Sequence, residues 1–203
     1  MKLAKFTKSC DANDMPAGVK ARLYLACTCD VQQDRLRTYS ELRALSVLPS
    51  GITLPTTENK LSERVTIGEA VVFPLAGTGF TAYDIVITSG SYSSKTKGEA
   101  QFTAFENEVT FMMKGSNAEV VGFADLINNR GLLCVIGDMG GADDYKLFGQ
   151  KEHPAFITSI DIESGAKAGD KRVSTFKIAD MSGRSLRDYP LSKLHPSGLP
   201  IAV

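Results

Sequence analysis

The stretch from Val65 to Met113 constrains the fold most, because its β-branched and aromatic residues come in short runs broken by glycine or polar residues. Val65 to Ile67, Ala70 to Phe73, Phe80 to Thr88 and Ala100 to Met113 read as strands, joined by Gly77-Thr78-Gly79 and the polar run Ser89 to Gly98. Strands so closely spaced predict an antiparallel sheet or barrel. In the last run the alternation slips: Phe102 and Ala104 share one parity, while Val109, Phe111 and Met113 share the other. Side chains alternate strictly between the faces of a strand, so a bulge or turn is expected near Glu106-Asn107-Glu108.

The flanking sequence is also largely extended. In Val19 to Cys27, Ala21, Leu23, Leu25 and Cys27 alternate with Lys20, Arg22 and Tyr24, which predicts a half-buried strand. Asp34 to Leu48 fits either a short helix or another strand. Pro49-Ser50-Gly51 and Pro55 to Asn59 punctuate a polar stretch reaching Arg64, expected as an exposed loop or hairpin tip. One helix stands out. Ser116-Asn117-Ala118-Glu119 has the Ser-x-x-Glu pattern of a capping box, and Val120, Phe123, Ala124 and Ile127, with Val121 beside them, form an apolar stripe. Asn128 to Gly131 closes it, asparagine or glycine taking the left-handed conformation. A fully apolar strand, Leu132 to Ile136, follows, and Tyr145 to Phe148 is extended. Phe156, Thr158, Ile160 and Ile162 alternate with Ile157, Ser159, Asp161 and Glu163, and Arg172 to Ala179 is the return strand of that hairpin. Pro190, Pro196 and Pro200 make the tail from Tyr189 extended and irregular.

The expected fold is therefore mainly β, a sandwich or barrel of antiparallel strands with one flanking α-helix at about 117–128. It is expected as a single domain over 1–203, with an N-terminal arm (about 1–18), a long loop or hairpin (about 49–64) and a C-terminal tail (about 189–203).

Charge excludes one class of function. The 23 Lys and Arg balance 23 Asp and Glu, and no segment is a basic arm, whereas proteins that hold nucleic acid by its phosphates carry an excess of positive charge. No apolar run is long enough to cross a bilayer, so no membrane binding is expected. The basic start Met1 to Lys8 lacks the apolar stretch of a secretory signal, which points to a cytoplasmic product.

Sites of chemistry are hard to build from these residues. Of Cys10, Cys27, Cys29 and Cys134, only Cys27-Thr28-Cys29 are close, as C-x-C, and that pair can hold a metal only with partners from elsewhere. Reduced thiols are the expectation, ahead of a disulfide or a metal site. His153 and His195 each precede a proline and read as turn residues. Gly137-Asp138-Met139-Gly140-Gly141 follows a buried strand but departs from the dinucleotide spacing, and Asp138, Asp143 and Asp144 read as a solvated acidic turn. Glu106 and Glu108 on one strand share a face, as paired carboxylates do, yet a wet face accounts for them. No enzyme activity, catalytic residue, cofactor or metal is expected, and a chain of this kind binds or builds.

The order of features from Gly115 onward resembles the tail tube, or major tail, proteins of bacteriophages. The resemblance runs through Ser116 to Asn128, Leu132 to Ile136, Gly137 to Asp144, Tyr145-Lys146-Leu147-Phe148-Gly149, and Pro154-Ala155-Phe156 to Ser164-Gly165-Ala166-Lys167-Ala168-Gly169-Asp170. Ser9-Cys10 through Pro16-Ala17-Gly18 to Arg22-Leu23-Tyr24-Leu25 is similar to that family's entry into its first strand. The resemblance implies hexameric rings stacked into a hollow tube, with strands of neighbouring subunits forming a continuous inner sheet. It further implies a tape-measure protein, transiently passing DNA and a sheath or tail terminator as partners, in a virion tail assembled in the host bacterial cytoplasm. On it, Glu106 and Glu108 become lumen-facing candidates. Pro49, Gly51, Pro55, Glu58, Asn59 and Arg64 become candidates for a loop reaching the next ring. A tail terminator or completion ring and the tubes of type VI secretion or contractile injection particles are alternatives within the class. A small-molecule-binding β-barrel is the alternative outside it.

Overall fold

The computed structural model describes residues 19–56, 61–74, 78–86, 89–99, 102–138, 145–163 and 172–194. In chain order its elements are β1 (Val19–Cys27), α1 (Tyr39–Arg43), β2 (Thr81–Asp84), β3 (Ser91–Lys97), β4 (Ala104–Lys114) and α2 (Ala118–Ile127). They continue as β5 (Leu132–Asp138), β6 (Tyr145–Phe148), β7 (Phe156–Glu163), β8 (Val173–Gly183) and β9 (Arg187–Asp188). The strands form two separate antiparallel sheets, a five-stranded one ordered β2-β1-β5-β6-β9 and a four-stranded one ordered β3-β4-β8-β7. Among the described residues the fold is mixed α/β with two helices, and neither sheet closes into a barrel. This corrects the expected mainly-β sandwich or barrel with one helix: the open stretch before Pro49 contributes a second helix, and every sheet ends in edge strands.

The centre of the five-stranded sheet is buried on both faces. Leu23 and Leu25 of β1 and Leu132, Cys134 and Ile136 of β5 point into a core shared with Val109, Phe111, Phe176 and Ile178 of the other sheet and with the stripe of α2. Tyr24, Ala26, Leu133 and Val135 point the other way, into a second cluster. The expected half-buried β1 is thus corrected, since Tyr24 reads as polar in an alternation but buries its ring. The second cluster is roofed by loops. Val31, Leu36, Ile67, Val71, Phe80, Tyr189 and Leu194 supply its outer side. That explains why Val65 to Ile67 and Ala70 to Phe73 look like strands without being so: Ile67 and Val71 are apolar because they cover a sheet, with only isolated bridges from Thr66 to Asp188 and Ile67 to Thr38. Among the described residues of Phe80 to Thr88, likewise, only the short β2 is a strand.

Tyr189 ties the roof together. Its hydroxyl accepts from the Val71 N–H at 3.0 Å and donates to the Lys193 carbonyl at 2.7 Å, with the ring fully buried. Tyr189→Phe keeps the ring but strands a buried N–H, so a loss of about 1–3 kcal/mol is expected in denaturant unfolding.

In the four-stranded sheet, the polar run taken as a joint is strand β3, each residue from Ser91 to Lys97 being paired with β4. Serine, threonine and lysine are poor hydrophobic signals, but an edge strand with one wet face tolerates them. The parity slip near Glu106 has a counterpart in a register shift between Phe105 and Asn107, where the extra residue lies on β8. A second shift, between Ile157 and Ser159, brings Ile157 onto the face of Ile160 and Ile162 and leaves Phe156 exposed, which corrects the strict alternation expected there.

The start of α2 differs from expectation, while its end closes as expected. In α2 the N-cap is Asn117, whose side chain accepts from the Val120 N–H at 3.2 Å, rather than Ser116. Asn129 takes the left-handed conformation after the helix, with φ of 57°. Val121 lies outside the buried stripe of Val120, Phe123, Ala124 and Ile127. A capping box does exist, on α1: the Glu41 N–H donates to Thr38 Oγ1 and the Thr38 N–H donates to the Glu41 carboxylate. The N-terminal arm, the end of the C-terminal tail from His195, and the loops at 139–144 and 164–171 lie outside the described residues. Among the described residues, no helix is long and apolar enough to cross a membrane.

Candidate functional site

The four-stranded sheet presents one face to the core and the other outward. Directly paired residues of neighbouring strands share a face, so the register fixes what the outward face carries. Lys95 lies opposite Glu106, Lys97 opposite Ala104, Lys177 opposite Thr110, and Lys114 opposite Val173. Asp161 and Glu163 of β7 lie opposite Thr175 and Val173 on the same face. Glu106 and Glu108 therefore do share a face, as residues two apart on a strand must. Neither carboxylate stands alone: Glu106 pairs with Lys97 at 2.5 Å and Glu108 with Lys177 at 3.1 Å. The result is a mosaic of both signs rather than an acidic wall, with four lysines balancing four carboxylates among the paired strand residues.

Both edges of this sheet, β3 and β7, lack a strand partner among the described residues. Its neighbours are antiparallel throughout and even in number, so β3 and β7 run in opposite directions. A second copy placed head to tail can continue the alternation without breaking it. Lys95 and Lys97 sit on one edge, Asp161 and Glu163 on the other. Charges on an edge discourage indiscriminate pairing, and the two groups lie at opposite ends of the sheet, Lys97 in line with Ala104 at the start of β4 and Glu163 in line with Lys114 at its end.

A second surface is the loop after α1. From Ala44 to Thr56 it contains no charged residue, and it exposes Leu45, Leu48 and especially Val47, at 79%. Its base is fixed by Arg43, which makes a two-pronged pair with the buried Glu63, at 3.0 and 2.6 Å, and donates to the Pro55 carbonyl at 3.2 Å. Of the loop candidates, Gly51, Pro55 and Arg64 are exposed and Pro49 is half-buried, Gly51 with φ of +81° that favours glycine. Glu58 and Asn59 lie outside the described residues. The apolar tip was missed in the sequence because Leu45 to Leu48 fitted a helix or strand; the signal was the absence of charge between Arg43 and Glu58.

Other candidates are scattered. His153 is exposed and lies 3.9 Å from Glu152. His195, Asp143 and Asp144 lie outside the described residues, while Asp138 ends β5 and accepts from the Tyr92 hydroxyl at 2.5 Å. A pocket of 270 Å³ lies beside β7, lined by Glu152, His153, Phe156, Ala179 and Met181 among others. Cys27 and Cys29 form a disulfide, contrary to the expected thiols: the end of β1 turns immediately into a short 3-10 segment, Thr28–Asp30, which folds the second cysteine back on the first. Cys134 is free and buried in the shared core, where burial pushes its thiol far above the usual range and keeps it unreactive. No family model, curated protein or solved structure matches this chain.

Proposed function

We propose that this chain is a structural subunit of a phage tail tube, assembling itself into hexameric rings that stack into a conduit for DNA. The observation that carries the reading is the four-stranded sheet, with two oppositely directed edges that lack a strand partner among the described residues and a charge-balanced outward face. In a ring, β7 of one copy lies beside β3 of the next, and the outward face becomes the inner wall. Paired lysines and glutamates there offer passing phosphates no net field to hold them. The loop at 44–56 supports stacking, because an exposed apolar tip on a charge-fixed base gains by burial against another ring. Glu106 and Glu108 are assigned to the lumen on this reading, and Pro49, Gly51 and Pro55 to the contact between rings.

A small-molecule-binding barrel is disfavoured because neither sheet closes among the described residues. Electron microscopy of the concentrated protein tests the proposal. Rings and hollow tubes are expected, and Val47→Asp is expected to leave rings that do not stack, with the folded subunit unchanged in circular dichroism. Isolated rings from the unaltered chain move the reading to a terminator. A chain that stays monomeric at the highest attainable concentration overturns it.

A further inference from the structure

We infer that the turn Cys27-Thr28-Cys29-Asp30 is a redox-gated chelate for a thiophilic divalent cation such as Zn²⁺. The C-x-C pair lacked a partner in the sequence reading, and the 3-10 turn supplies one from the very next residue. The ligand atoms of Cys27, Cys29 and Asp30 lie within 4.8 Å of one another. With bonds of about 2.3 Å to sulfur and about 2.1 Å to oxygen, donors around a tetrahedral zinc sit roughly 3.5–3.8 Å apart, a rearrangement of side chains alone. Two thiolates and a carboxylate fill three positions and leave the fourth to water.

The frame under these ligands is fixed. Cys27 is the last ladder residue of β1, opposite Leu132. The Thr28 N–H and hydroxyl both donate to the Gly131 carbonyl, at 3.0 and 3.1 Å. Val31, just beyond the turn, donates to the Thr28 carbonyl at 3.3 Å and buries its side chain in the second cluster. A side chain at Gly131 would meet Thr28 Oγ1 at 2.7 Å and Pro154 at 2.8 Å, so this close approach is reserved for glycine. Cys29 itself is exposed, which leaves the sulfurs reachable from solvent.

Two states exclude each other. With both cysteines reduced, the cation displaces two protons from the thiols and binds as the dithiolate. A low-molecular-weight disulfide then oxidises that dithiolate: one bond forms between the Cys27 and Cys29 sulfurs, the small disulfide takes up two electrons and two protons to become two thiols, and the cation is released. The structure shows the oxidised, disulfide state.

Titration of the reduced, full-length protein with Cd²⁺, followed by sulfur-to-metal charge-transfer absorbance, tests the inference, with Zn²⁺ competing for the same site. One equivalent per chain is expected. The band should vanish in Cys27→Ser and in Cys29→Ser, weaken in Asp30→Asn and persist in Cys10→Ser, with circular dichroism verifying that each variant is folded. Adding oxidised glutathione should release the metal and leave the band abolished. A reduced, folded protein with no band, or a band that survives loss of Cys27 and Cys29, overturns the inference. Neither result bears on ring formation, which rests on other residues.

Discussion

Phe176→Ala is expected to cost about 3–5 kcal/mol in denaturant unfolding, the largest effect of any single substitution considered for this chain. Phe176 is fully buried where three elements meet. Its ring stacks on Phe111 of the neighbouring strand, with centroids 5.3 Å apart and planes at 14°. It also receives the edge of Phe123 from α2 at 5.2 Å and 77°. Truncation removes both ring contacts and leaves a cavity between the sheets that neither rigid sheet can collapse to fill. Folded domains are stable by only about 5–15 kcal/mol, so a large share of the total disappears. Phe176→Leu, which retains most of the volume, should cost markedly less. A loss below about 1 kcal/mol for the alanine variant would mean that the two sheets do not share one core.

Arg43→Ala is expected to cost about 3 kcal/mol, because it takes both prongs of the guanidinium away from a buried carboxylate. Glu63 is only 5% exposed and receives both prongs of the guanidinium. A buried carboxylate is costly unless paired, and this pair offsets much of that cost. The same substitution removes the donor that fixes Pro55, so the loop at 44–56 should become more susceptible to limited proteolysis. Adding Glu63→Gln should recover part of the lost stability, since a neutral amide is less costly to bury than a carboxylate that has lost its guanidinium. If the double variant is no more stable than Arg43→Ala, the cost lies in lost packing and not in the buried charge.

Where an element's apolar residues served its own burial, the sequence disclosed it. Val120, Phe123, Ala124 and Ile127 all turn inward from α2, and Leu132 to Ile136 is buried throughout, because periodicity and continuous apolarity report on burial directly. Elements stayed hidden where residues served something else. Ile67 and Val71 are apolar on behalf of a sheet they roof, and so resemble strands. Ser91 to Lys97 is a strand whose hydrogen bonds need no apolar side chains, and so resembles a joint. Thr38 and Glu41 form the capping box that the identical spacing at Ser116 and Glu119 does not, because Asn117 takes the cap one residue later. At the candidate surfaces, the sequence offered Glu106 and Glu108 as a pair on one face. Their lysine partners come from other strands, Lys97 of β3 and Lys177 of β8, and only register brings these together. The carboxylate completing the C-x-C turn was adjacent all along, but a strand reading of Cys27 and Cys29 gives no reason for Asp30 to fold back.

The ladder between β1 and β5 pairs Tyr24 with Val135, so the middle of the five-stranded sheet joins segments roughly 110 residues apart in the chain. At a synthesis rate of about 5–20 residues per second, β1 waits on the order of 5–20 s on the ribosome before β5 emerges, after the shorter β2. Long-range pairing of this kind also slows folding once the chain is free. The edge strand β7 is translated later still, after β5, and gains its own partner β8 last. The β7 edge of the four-stranded sheet therefore does not exist while the chain is still incomplete, and the order of translation leaves that edge to form only when most of the fold is already in place.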